Sequence, residues 1–109
     1  MARSIRVFYQ NRIGRTAINH NINGFDITNR SAVLVTAALW TPNPGSFGDL
    51  LDVRLRVHGP DVWVSNIVPH GGPNEASGVE FMLHVNSDQP EDVAVTITLF
   101  EPCETATSV

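Results

Sequence analysis

The stretch from Arg54 to Trp63 carries the densest chemistry of the 109-residue chain: Arg54, Arg56, His58, Asp61 and Trp63. A hairpin turning at Gly59-Pro60 would set Arg56 opposite Trp63 and Arg54 opposite Ser65, gathering these side chains on one face. An indole flanked by arginine, aspartate and histidine can stack a sugar ring and hydrogen-bond its hydroxyls. The same set suits a protein interface, where Trp and Arg are enriched. The plainest alternative is Arg56 shielding the Trp63 ring by a cation–π contact.

The remaining reactive residues are scattered. The histidines, His20, His58, His70 and His84, show no His-x-His pair and no cysteine or glutamate at metal-ligand spacing. His58 and His84 both point outward on expected strands, which leaves a strand-to-strand site as the remaining metal reading. His70-Gly71-Gly72 matches half of an oxyanion loop, but no Gly-x-Ser-x-Gly accompanies it. Gly71-Gly72 more simply permits a tight turn. Cys103 stands alone without a base nearby. Asp88, Glu91 and Asp92 cluster without a full calcium-loop pattern, and Thr107-Ser108-Val109 is a short match to a PDZ-type terminus. No catalytic constellation emerges, so the chain is expected to be non-catalytic, with no cofactor. A small enzyme using His70 and Glu75, in loops 41–48 and 70–78, is kept as a further alternative.

Charge narrows the partners. The net charge is −4, which disfavours nucleic acid. The distribution is uneven. Residues 1–30 hold Arg3, Arg6, Arg12, Arg15 and Arg30 against Asp26 alone, a net +4, and the remainder carries −8. Every basic residue is arginine, whose planar fork suits carboxylates. Internal pairing of the N-terminal arginines with the acidic remainder is the first expectation. An anion site or a head-to-tail contact between subunits is the sharper one. The single cysteine rules out an internal disulfide. No apolar run approaches the ~18 residues of a membrane span, and no signal-peptide pattern appears at the start. A cytoplasmic protein is therefore expected.

The elements that must position these residues are strands. Short period-two runs, bounded by Gly, Pro, Asn or Asp, cover residues 5–10, 16–22, 31–40, 51–58, 61–68, 79–86 and 93–100. Asn23-Gly24 predicts a hairpin that sets Ile22 opposite Phe25 and His20 opposite Ile27. Residues 41–48 and 69–78 read as long loops. The expected fold is all-β: a two-sheet antiparallel β-sandwich, Ig-like or jelly-roll, of 7–8 strands. One domain spans 1–101, with a flexible tail at 102–109. Inward positions include Leu51, Val53, Leu55, Val57, Val62, Val64 and Val68, and the whole apolar side of 79–99.

A second apolar set remains on the outward positions: Phe8, Leu34, Ala38, Trp40, Trp63, Ile67, Met82 and Phe100. If several share one sheet, they form a patch that needs a partner. Phe8, Leu34, Trp40, Ile67, Met82 and Phe100 are the expected interface. The leading expectation is thus a binding or assembly module that forms a homo-oligomer through an apolar outer sheet face. A lectin-like, glycan-binding module built on Trp63 is the alternative.

Overall fold

The computed structural model describes residues 2–41 and 50–109. The expected 41–48 loop lies outside the described residues apart from Thr41. Seven strands form among the described residues: β1 (Arg3–Arg12), β2 (Gly14–Asn21), β3 (Val33–Trp40), β4 (Leu55–Arg56), β5 (Val62–Gly72), β6 (Glu75–Val85) and β7 (Glu91–Leu99). They make two antiparallel sheets, ordered β1-β7-β3-β4 and β2-β6-β5. The fold is the expected β-sandwich. No helix among the described residues is long and apolar enough to cross a membrane.

β1 and β2 are almost one strand, interrupted at Ile13, where the chain leaves one sheet for the other. β6 and β7 make the same passage through residues 86–90. β1 pairs with β7 and β2 with β6, so the two ends of the chain run together as one ribbon shared by both sheets. β6 and β7 are therefore central strands, and their inward residues fill the core. Val79, Phe81, Leu83 and Val85 of β6 meet Val93, Val95 and Ile97 of β7, with Ile18, Val35 and Leu39 around them. Period-two alternation of β-branched residues produces this directly, because every second side chain points between the sheets.

Several local expectations are corrected. Asn23-Gly24 makes a turn, but no hairpin follows it. Ile22 N–H bonds to Ser77 C=O, and residues 25–32 then cross from one sheet to the other, burying Ile27 completely. The crossing fits because Gly71 has no side chain. A Cβ there would stand 2.0 Å from the Ile27 carbonyl oxygen.

The expected strand at 51–58 shrinks to Leu55–Arg56. Residues 50–52 form a 3-10 turn, and Leu51 and Val57, expected inside, are exposed, Val57 at 86 %. β4 pairs with β3 and β5 with β6. Gly59-Pro60 is thus a passage between sheets, and the 54–63 hairpin does not exist. The expected 69–78 loop is instead a long hairpin, with β5 reaching Gly72 and β6 starting at Glu75.

The bulge at Asn66 (φ 52°) shifts the β5–β6 register between Ser65 and Val68. Ile67 consequently packs on the core and Val68 is exposed, the reverse of the expected alternation. Burying an isoleucine is worth up to roughly 1.5–3 kcal/mol. The left-handed conformation costs about 1–2 kcal/mol in an ordinary L-residue, and asparagine tolerates it better. The exchange therefore favours the bulge. Residues beyond Leu99 are exposed without regular structure, although Cys103 N–H bonds to Arg30 C=O at 2.9 Å.

The crossing segment provides a direct check. Gly71→Ala must displace backbone and should destabilise by about 1–3 kcal/mol in urea unfolding. Gly72→Ala meets nothing within 4 Å and should stay within about 0.5 kcal/mol of the parent. Equal stabilities would show that residues 25–32 do not pack here.

Candidate functional site

The outer face of the three-stranded sheet carries the clearest constellation. β2, β6 and β5 lie side by side, and register sets Arg15 beside His84 and His84 beside Trp63. Guanidinium, imidazole and indole thus form one row across the sheet. The indole and imidazole stack, with centroids 4.7 Å apart and planes within 5°. Ser65, two positions along β5, holds the imidazole by a 2.7 Å hydrogen bond between its Oγ and His84 Nε2. Trp63 sits on an edge strand and remains 46 % exposed. One side of the indole is braced while the rest meets solvent. Ala17 and half-buried Met82 continue the face beyond this row.

At the far end of the same face, His70 reaches over the bare Gly78 position to Asn19. His70 Nε2 and Asn19 Oδ1 lie 2.7 Å apart, Nδ1 lies 2.9 Å from the Ala76 carbonyl, and the Glu75 carboxylate stands 3.4 Å from Nδ1. These contacts cross-link the tip of the β5–β6 hairpin to β2.

The constellation expected around Trp63 is dispersed. Arg56 belongs to the other sheet, where it pairs with Glu91 at 3.3 Å and donates to the His58 carbonyl at 2.9 Å. Arg54 and His58 are exposed around β4. Arg56 and Asp61 do meet, along a groove of about 230 Å³ between 37–39 and 56–62, without Trp63. That volume is below the range of ordinary small-molecule pockets. His58 lies in the connection between β4 and β5 and His84 on β6, and among the described residues no three His, Cys, Asp or Glu side chains gather.

The expected interface set also divides. Phe8 and Trp40 pack edge to face, 4.8 Å apart, on the outer side of the four-stranded sheet. Trp40 donates to the Tyr9 carbonyl at 3.4 Å and is only 5 % exposed, so it is covered within the chain. Met82 lies on the opposite sheet, and Ile67 faces the core. Leu34 and Phe100 alone stand open together, at 52 % and 45 % exposure. Phe100 bonds to Ala32 and Leu34 pairs with Thr98, which places them diagonally on one face.

Ser65 and His84 form a dyad, so nucleophilic chemistry has to be weighed. A working serine needs its histidine oriented by a further group and donors aimed at the developing oxyanion. Among the described residues His84 has no carboxylate partner. The hydrogen bond fixes the orientation of the ring. His84, Ser65 and Arg15 did not enter the sequence-based site, because the β2–β6 pairing that adds Arg15 carries no local signature.

Comparison with family models, with curated proteins and with solved structures finds no match, so the site is read on its own geometry.

The brace can be tested by acrylamide quenching of tryptophan emission. Ser65→Ala should cost about 1 kcal/mol of stability, the usual net worth of one hydrogen bond. His84→Ala should raise the quenching of Trp63 and leave that of buried Trp40 unchanged. If His84→Ala leaves quenching at the parent level, the indole does not rest on the imidazole.

Proposed function

We propose that this chain is a non-catalytic binding module whose ligand face is the outer side of the β2-β6-β5 sheet, and that it takes a saccharide. The carrying observation is the half-exposed Trp63 held flat on His84 in a row that ends in Arg15. A rigid indole offers apolar area at little cost in conformational entropy, and its polar edge tolerates water. The C–H face of a pyranose ring matches that surface. Ser65 and Arg15 supply polar groups within the span of the row, and few such groups are needed to orient a ligand. Because Ser65 holds His84, the platform is set before the ligand arrives, which reduces the ordering cost of binding.

Labelled protein on a glycan array, followed by calorimetry, tests this reading. Binding to at least one saccharide class is expected, weakened about tenfold or more by Trp63→Ala, as for a buried aromatic anchor. An array without signal, or Trp63→Ala binding like the parent, would sink it.

A second reading is self-association, supported by the exposed Leu34 and Phe100 side by side on the opposite face. Two residues make a small patch, so the expected complex is weak and micromolar. Sedimentation should show a dimer that Leu34→Asp dissociates. A monomer of 11.9 kDa up to 100 µM, the upper end of roughly micromolar affinity, would count decisively against it.

A further inference from the structure

The arginine-rich first third of the chain does not pair as its charge suggests. Among the described residues, none of Arg3, Arg6, Arg12, Arg15 and Arg30 meets a carboxylate. Arg3 donates to the Gly24 carbonyl at 3.0 Å and lies over the Phe25 ring. Arg6 donates to Thr96 Oγ1 at 2.9 Å. Arg15 and Arg30 are exposed to water. Arg12 differs from all of these. Its guanidinium stands over the Tyr9 ring, 5.0 Å from the centroid, and its Nε is buried without an acceptor. The Tyr9 hydroxyl is also buried and also lacks a partner. Buried polar groups almost always find partners. Both groups belong to one ring–guanidinium contact, and among the described residues neither meets a partner.

The backbone brings them together. β1 carries a bulge between Tyr9 and Arg12, with Asn11 at φ 57°. Tyr9 pairs with Val93 and Arg12 with Glu91, so two residues, Gln10 and Asn11, oppose the single Asp92. Simple alternation would send Arg12 outward. The bulge returns it to the Tyr9 side, which is how bulges re-aim side chains. The nearby acids each accept a bond from another donor. Asp92 Oδ1 accepts from Asn11 N–H at 3.1 Å, and Glu91 accepts from Arg56 at 3.3 Å. Trp40 Nε1 donates to the Tyr9 carbonyl and steadies the strand beneath the ring.

We infer that Arg12 and Tyr9 form a binding site for a small oxyanion, a carboxylate or phosphate group, distinct from the Trp63 face. A guanidinium edge presents parallel N–H donors that match two anion oxygens, and the phenol O–H adds a third donor. Burial raises the Tyr9 pKa above its ordinary value, against the pull of Arg12, so the phenol is neutral and able to donate at physiological pH. A water molecule would satisfy one of these donors but would leave the guanidinium charge without a counter-charge. An oxyanion does both.

Thermal unfolding of the full chain in phosphate and in acetate, against chloride at matched ionic strength, tests the site. At a tenfold excess over Kd, the anion should raise Tm by roughly 5–10 °C. Arg12→Gln should abolish the rise, Tyr9→Phe should reduce it, and Arg15→Gln and Trp63→Ala should keep it. The Arg12 Nε–H resonance should move on titration, a readout that holds even if Arg12→Gln does not fold. No rise above chloride, a full rise in Arg12→Gln, or an unmoved Nε–H signal would each overturn the inference.

Discussion

Everything in this fold hangs on one pairing, that of β1–β2 with β7–β6. Each half of this ribbon serves a different sheet, so β6 and β7 each acquire a neighbour on both sides. Only then do all their inward residues leave water, and Val79, Val93, Val95 and Ile97 are completely covered. The partners lie far apart in sequence, as Arg3 opposite Leu99 shows. The closure of that long loop has to be met by hydrophobic burial. The ribbon also places the two candidate sites. Arg15 opposes His84 on one half, and Arg12 opposes Glu91 on the other.

Two asparagines interrupt this regularity. Asn11 and Asn66 both adopt positive φ within strands, at 57° and 52°. A strand without bulges assigns its side chains to alternate faces for its whole length. Each asparagine reverses that assignment for the residues that follow. At Asn66 the result is a better-filled core, with Ile67 inward. At Asn11 the result runs the other way, because an arginine is brought to the Tyr9 side of the sheet, opposite a Glu91 that bonds to Arg56. The first bulge is explained by packing alone. The bulge at Asn11 leaves the Arg12 Nε–H without an acceptor among the described residues, which the proposed oxyanion would supply.

The sandwich was legible from the sequence because its core strands alternate cleanly. Val79, Phe81, Leu83 and Val85, like Val93, Val95 and Ile97, declare their inner face without help from any partner. Trp63 beside His84 was also within reach. A two-residue turn at Pro73-Asn74 sets these residues opposite each other, and the shift between Ser65 and Val68 is undone between His70 and Gly72. Reading 69–78 as a loop hid that register. The strand at 51–58 failed for a different reason. Its alternation is as regular as any in the chain, but β3 offers it pairing only at Leu39 and Trp40. Periodicity states which face a strand would bury; it does not state whether a neighbour is present. Ile67 was misplaced, and Arg12 left outside the first strand, because an isolated asparagine gives no warning that it will bulge.

The charge imbalance is the feature that sequence reasoning located and misread. Arginines in one third and acids in the rest suggest mutual neutralisation, but of the three arginines on β1 only Arg12 lies opposite an acid, Glu91, and that carboxylate accepts from Arg56. Arg6 lies opposite Thr96, and Arg3 opposite Leu99. The guanidiniums settle instead on hydroxyls, carbonyls and rings. Arg3 and Arg12 make a controlled comparison within one molecule, since both lie over an aromatic ring. Arg3 also finds a backbone carbonyl, and it is exposed. Arg12 finds no acceptor, and its Nε is buried. A cation–π contact is worth about 0.5–1 kcal/mol at an exposed site and about 2 when desolvated. A buried N–H left without an acceptor costs about 1–3 kcal/mol. The ring contact offsets part of the cost of the unmet Nε–H, and the proposed oxyanion would supply the acceptor that the described residues do not.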